Sequence, residues 1–232
     1  MFKYIEEIDF KLPPLLLEKI LKETDNKECP VTDTIFGKML DAAKNDSYVE
    51  NKFYNKEAFE FFKKSMSTRV AQLTPYSYSN LITSSILKLL PERLLQYNPR
   101  IQFQTITNSE NYSPHRDYVR LSSLFYLIKS NSSVTKWWEP TEKFKDYFMG
   151  DYKYVPPEYN QIQVAKEYTL EENKWYVFDH KSLHSVHTPN REEFRISLLV
   201  SFADLPAEDL YNIMVEEGYA TTKKQGLEVL VS

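Results

Sequence analysis

The chain has 232 residues, a formal net charge of −4, 42% hydrophobic residues, four glycines and a single cysteine, Cys29. That apolar fraction supports a core and argues against disorder, while the acidic balance disfavours a nucleic-acid binder that relies on a basic surface. One cysteine rules out a disulfide framework, and Gly37, Gly150, Gly218 and Gly226 stand too far apart for a P-loop or a GxGxxG cradle.

The opening Met1-Phe2-Lys3-Tyr4-Ile5-Glu6-Glu7 lacks the apolar centre of a signal peptide. No apolar run approaches the roughly 20 residues that span a bilayer. A cytoplasmic protein without a membrane partner is the expectation. Length alone allows one domain with extensions, or two small ones.

Residues 1–97 read as mostly helical. A short strand over Tyr4 to Phe10 leads to Pro13-Pro14, a helix-start signal. Leu15, Leu16, Ile20 and Leu21 come next at helical spacing. A second helix starts at Thr32 or Asp33, a third covers about 56–72, and a fourth covers about 78–95 with Pro91 interrupting it. No linker separates these helices from the strand-rich segment after them, so the two parts are expected to pack as one unit.

From about residue 98 to 204 the period changes. Ile101 to Thr107 alternates at period two, and strands are expected at Leu121–Ile128, Thr135–Glu139, Gln161–Thr169, Trp175–Phe178, Leu183–His187 and Phe194–Phe202. Many short strands with turns between them suggest a sandwich or jelly roll. The aromatic stretch from Phe144 to Tyr159 reads as a long loop, either a lid or a surface flap, and Trp137 and Trp138 could join it. A closing helix is expected from Pro206 to Tyr219, within the last part, 205–232.

The chemistry concentrates in two places. Tyr112-Ser113-Pro114-His115-Arg116-Asp117 sets an imidazole and a carboxylate two residues apart, and alternate strand residues share a face. Together they are two thirds of a 2-His-1-carboxylate iron site; alone, such a pair is as readily a salt-bridged surface histidine. The second place holds His180, His184 and His187, then Arg195-Ile196-Ser197. Arg195 and Ser197 share one face of a strand that continues into apolar residues. A buried guanidinium there needs an anion, and its planar fork suits a carboxylate. A structural ion pair with Glu192, Glu193 or Asp204 is the competing reading.

In order and spacing these motifs resemble the Fe(II)- and 2-oxoglutarate-dependent dioxygenases, whose pattern is His-x-Asp, a distal His, then Arg-x-Ser. Ile101-Gln102-Phe103, with Tyr112-Ser113-Pro114-His115-Arg116-Asp117 after it, resembles the opening motif of prolyl-4-hydroxylase-like members. The resemblance covers about residues 100–203. It implies a double-stranded β-helix (a jelly roll, cupin-like), mainly β, with packed N-terminal helices and one C-terminal helix. It further implies Fe(II) held by His115, Asp117 and a distal histidine, 2-oxoglutarate held by Arg195 and Ser197, O2 as oxidant, and ascorbate as a candidate reductant. His184 is the first choice for the distal ligand, eleven residues before Arg195. His187 and His180 are the alternatives.

The departures from the family pattern are informative. Collagen-type prolyl hydroxylases have lysine where Arg195 stands. The tyrosine that often helps bind 2-oxoglutarate aligns near Ile106, so Tyr112, Tyr126 or Thr105 would have to substitute. Asn108-Ser109-Glu110-Asn111 replaces the usual glycines. Arg191 and Arg195 are four apart rather than the six of the DNA-repair branch. Asp117 favours oxygenation over halogenation, which needs a small residue there.

Arg120 could bind a substrate carboxylate or form a salt bridge at the barrel rim, and Trp138 is a candidate substrate contact. The resemblance thus implies hydroxylation of an amino-acid or peptidyl C–H bond, with prolyl among the candidates. A small molecule or peptide is the expected substrate, with no nucleic acid. A non-catalytic cupin-like binding module, or an iron oxygenase that does not use 2-oxoglutarate, are the alternatives.

Overall fold

The computed structural model describes residues 2–25, 72–76, 79–107, 111–117, 120–130, 132–141, 147–149, 152–154, 162–187 and 195–219. The helix expected from Thr32 or Asp33, and all but the end of the one expected over 56–72, lie outside these residues.

Among the described residues eight strands make the barrel, and their alternation between two antiparallel sheets defines it. β3 (Arg100–Thr107), β5 (Ser122–Lys129), β10 (Trp175–Asp179) and β12 (Arg195–Phe202) form the centre of one sheet, in the order β10-β5-β12-β3. β4 (Asn111–Asp117), β6 (Val134–Pro140), β9 (Ile162–Thr169) and β11 (His184–His187) belong to the other, in the order β4-β11-β6-β9. Successive strands mostly cross from one sheet to the other, which is the winding of a double-stranded β-helix, or jelly roll. β1 (Ile5–Ile8) and β2 (Gln72–Tyr76) extend the first sheet at its two edges. β7 (Tyr147–Met149) and β8 (Tyr152–Tyr154) extend the second.

Two expectations are corrected here. The aromatic stretch within 144–159 is not wholly loop: β7 and β8 form a hairpin whose β8 pairs with β4, setting Tyr154 opposite His115. Gln72 begins a strand rather than ending a helix. That strand contains Pro75, and it lies at a sheet edge, where a missing N–H is tolerated.

The first sheet is largely buried on both faces because each face is covered. Its outer face presents Leu124, Tyr126, Ile128, Trp175, Val177, Leu198, Val200 and Phe202 to the helices. Against it pack Leu16 and Ile20 of α1 (Pro14–Asp25), and Ile82 and Ile86 of α2 (Asn80–Leu87). Leu94 of α3 (Glu92–Leu95) and Leu210, Ile213 and Met214 of α4 (Ala207–Glu216) complete that layer. Pro91 is the break between α2 and α3, with φ −49° and ψ 136° in place of helical angles. α4 ends at Gly218, whose φ of +89° suits a residue without Cβ. Tyr219 N–H then donates to the Met214 carbonyl at 2.9 Å, and its ring packs on Phe10.

The inner face carries the alternate residues: Phe125 and Leu127 of β5, Tyr176 and Phe178 of β10, and Leu199 of β12. Trp137 of β6 faces them from the second sheet. This apolar plug fills one part of the barrel, and the polar residues at its margin make the site. No helix of the described residues is long and apolar enough to cross a membrane.

Candidate metal centre

β4 carries His115 and Asp117 to the barrel interior, where both are buried. In the antiparallel register of β4 and β11, His184 is the direct partner of His115, and their rings lie 4.4 Å apart. Nε2 of His115 is 3.4 Å from Oδ1 of Asp117. One ligand atom from each of His115, Asp117 and His184 fits within 4.8 Å of the others. Among the described residues this is the only group of three such side chains close enough to hold one ion.

Two of these three side chains, His184 and Asp117, are oriented by neighbours. Nδ1 of His184 is 2.8 Å from the Ser182 carbonyl oxygen, so Nδ1–H donates and Nε2 keeps its lone pair, the form a metal takes. Burial, helped by the nearby His115, holds the His184 imidazole well below the usual histidine range. Burial alone would push the Asp117 carboxyl up, but Arg120, His180 and His115 outweigh it and hold it well below the usual carboxylate range. The centre is therefore one carboxylate with neutral imidazole beside it. Phe178 packs its ring 5.2 Å from that of His184, which shields one side from water.

Arg195 opens β12 on the inner face and is only 3% exposed. Its Nη1 donates to the hydroxyls of Ser133 and Thr135 at 3.2 Å each, and its guanidinium lies 5.1 Å from the Phe125 ring centroid. Nε has no hydrogen-bond partner among the described residues. Among those residues no carboxylate forms an ion pair with Arg195: Asp204 is exposed, while Glu192 and Glu193 lie outside the described residues. Burial lowers its pKa to about 10, so it remains a cation at neutral pH. Ser197, two residues on, is buried on the same face opposite Gln104 of β3.

Other candidates fall elsewhere. Tyr126 is not at the site: period two places it with Leu124 and Ile128 on the outer face. There its hydroxyl donates to Asn173 Oδ1 at 3.1 Å, and its ring meets Trp175. Trp138 also points away, since its neighbour Trp137 takes the inner face. Its Nε1 donates to Ser185 Oγ at 2.8 Å, and Ser185 in turn is 2.9 Å from His187 Nε2. His187, three residues from His184, thus shares that outward face and is outside the triad. Of Tyr112 and Thr105 only the strand positions are described, Tyr112 opposite Val186 and Thr105 opposite Ile196.

Arg120 does not face an open pocket: its Nε donates to Asp117 Oδ2. With the Gln104 amide oxygen turned towards the guanidinium, that oxygen accepts from both Nη atoms at 3.1 Å. His180 is not among the three converging ligands, but it is 4% exposed and touches Asp117 from the other side. Gln104, Ser133 and Thr135 complete the polar margin, and none of them belongs to the motifs that mark the site in the sequence. Period two could have found two of them: Gln104 comes two residues after Gln102 of the opening motif, and Thr135 precedes the inward Trp137 by two.

No family model matches the chain, and no curated protein matches it. Among solved structures it is similar to vicilin from Corylus avellana (hazelnut), at 10% identity and a TM-score of 0.33, over 64% of this chain and 36% of vicilin. It is similar to SnoN, a non-heme alpha ketoglutarate dependent epimerase from nogalamycin biosynthesis, at 10% identity and a TM-score of 0.36, over 71% of this chain and 84% of SnoN. E. coli ycfD gives 11% identity and a TM-score of 0.35, over 62% of this chain and 37% of ycfD. At scores this low they carry no argument; the strand order defines the fold.

Proposed function

We propose that the protein is an Fe(II)- and 2-oxoglutarate-dependent oxygenase that hydroxylates a C–H bond of an amino-acid or peptidyl substrate. One observation carries the reading. The barrel interior holds a converging His115, Asp117 and His184 together with a buried arginine that has no carboxylate partner among the described residues.

The donor set fits the metal. Two imidazoles and one carboxylate on one side of an ion leave the opposite side open, the arrangement of non-haem Fe(II) oxygenases. When bound, Fe(II) with 2-oxoglutarate supplies activation of O2, with decarboxylation of the co-substrate to succinate and CO2 and transfer of an oxygen atom to the substrate.

The chain's own residues supply the rest. Arg195, pre-oriented by Ser133 and Thr135, presents its Nε, which has no partner among the described residues, to the far carboxylate of the co-substrate, with Ser197 on the same face. A guanidinium already stripped of water loses little on receiving an anion. Phe125 and Phe178 line the interior and exclude water that would compete with the reaction. Asp117 supplies the carboxylate ligand that leaves no room for halide, which favours oxygenation.

A non-catalytic binding module, or an iron oxygenase that does without 2-oxoglutarate, has no use for a buried guanidinium that meets no carboxylate among the described residues. The opening motif supports a free or peptidyl amino acid as substrate, and the net charge of −4 speaks against nucleic acid. The direct test is succinate formation with Fe(II), 2-oxoglutarate and ascorbate over a panel of amino acids and peptides. Succinate production that persisted unchanged in Asp117→Ala and Arg195→Met proteins would sink the proposal.

A further inference from the structure

Asp117 has two oxygens, and the protein treats them differently. Oδ1 faces His115 Nε2 at 3.4 Å. Oδ2 is held from two sides. Nε of Arg120 donates to it, and Nδ1 of His180 is 3.0 Å from it. The His180 Nδ1 is off the line of a formed hydrogen bond and has no other acceptor among the described residues, so a small ring rotation completes the contact. Its Nε2 is 2.8 Å from the hydroxyl of Ser123, which is fully buried. With Ser123 donating to Nε2, the ring proton sits on Nδ1, facing the carboxylate.

Both holding groups are themselves fixed. The Asp117 N–H donates to the His180 carbonyl at 2.9 Å, and the His180 N–H donates to the Leu121 carbonyl at 3.0 Å. The His180 ring also packs on Phe178, centroids 4.7 Å apart. Arg120 is anchored by Gln104 through both Nη atoms. Two side chains from two connections thus meet one carboxylate oxygen, and Gln104, Ser123 and Phe178 of three strands hold those two in place.

We propose that Arg120 and His180 are positioning residues that clamp Oδ2 and so hold Asp117 as a one-oxygen metal ligand. This rests on the metal centre proposed above. A carboxylate that chelates through both oxygens takes four of six octahedral positions together with the two histidines. One that is clamped takes three and leaves roughly three for co-substrate and O2. To chelate, Asp117 must give up a charge-assisted bond to Arg120, the stronger kind of hydrogen bond. The clamp therefore preserves the vacancy that the chemistry needs. It also accounts for Arg120 without assigning it to substrate.

Mn(II), which binds hard oxygen and imidazole ligands without reacting, is the probe. Its affinity and the relaxation it imparts to water protons, which counts exchangeable waters on the ion, are measured for the full chain and its variants. The expected result is about three exchangeable waters in the unaltered protein and about two in Arg120→Gln and His180→Leu. In His180→Leu, Mn(II) affinity is expected to fall about tenfold or more, the usual effect of losing a residue that orients a ligand. His180→Asn, which keeps an N–H donor near Oδ2, is expected to restore both readings.

An unchanged water count and affinity in Arg120→Gln and His180→Leu, with tight binding in the unaltered protein, overturns the clamp and leaves the metal centre standing. Mn(II) binding no tighter in the unaltered protein than in Asp117→Ala overturns the metal centre itself. Arg120 is at the rim with its side chain 11% exposed, so Arg120→Gln decides the matter if His180→Leu does not fold.

Discussion

His115 and His184 are direct partners across β4 and β11, with rings 4.4 Å apart. Two strands distant in sequence thus deliver two imidazoles at one rung of the ladder, and Asp117 comes two residues along on the same face. The register shifts just beyond, between His184 and Val186, so the regular pairing ends where the site begins. Removing any one ligand leaves two. We expect His115→Ala, Asp117→Ala and His184→Ala each to weaken Fe(II) or Mn(II) binding by about a hundredfold or more, measured by calorimetry under anaerobic conditions. Wild-type affinity in His184→Ala would move the distal ligand to His180.

Arg195 carries an unusual pair of expectations. Arg195→Met removes a buried cation with no ion-pair partner among the described residues, so the unliganded protein should be as stable or more stable in thermal melts. The same change should weaken 2-oxoglutarate binding about ten- to a hundredfold, the worth of charge-assisted hydrogen bonds at about 1.5–3 kcal/mol. Lost stability with unchanged 2-oxoglutarate affinity would make Arg195 a structural residue.

The buried histidines set a pH dependence for the metal-free protein. Burial, with Arg120 adding to it, lowers His180 from 6.5 to about 4 in the folded state. The unfolded chain takes a proton near pH 6.5 that the folded one refuses. Stability is therefore full above 6.5 and falls as pH drops towards 4. The loss from His180 is about 3 kcal/mol at about 1.4 kcal/mol per unit, and His184 acts with the same sign. Denaturant midpoints between about pH 7 and pH 4 check this, and His180→Asn should flatten the slope. A slope that His180→Asn leaves unchanged would assign it to other groups.

His187 and Trp138 meet Ser185 on the face turned away from His115, Asp117 and His184. His187→Ala and Trp138→Phe should cost about 1 kcal/mol of stability each, the worth of one hydrogen bond, while metal affinity stays within about twofold. A large loss of metal binding in His187→Ala would reopen the choice of the distal histidine.

Period two makes most of the barrel legible in the sequence. β3, β6 and β9 carry alternating patterns, and the alternation marks which residues face in. The same rule puts His115 with Asp117 and Arg195 with Ser197. It gives no purchase on β5, where Ser122–Ile128 is buried throughout. With both faces covered there is no alternation to read, and Tyr126, a candidate for the site, lies on the outer face instead. At Trp137 and Trp138 both residues are aromatic, and only pairing with β11 separates inner from outer. Short length and aromatic crowding hide β7 and β8, and Pro75 hides β2. The roles of His180 and Arg120 depend on two connections folding against one carboxylate, a relation between distant segments that no local pattern encodes.

The proposed function stands or falls on whether one barrel interior binds Fe(II) and 2-oxoglutarate together. Adding 2-oxoglutarate to the anaerobic Fe(II) protein decides this, because chelation of Fe(II) by the keto acid creates a metal-to-ligand charge-transfer band in the visible. A saturable band is expected in the unaltered protein, absent in Asp117→Ala and requiring a higher 2-oxoglutarate concentration in Arg195→Met. An unaltered protein that binds Fe(II) yet develops no band at saturating 2-oxoglutarate would contradict the proposal.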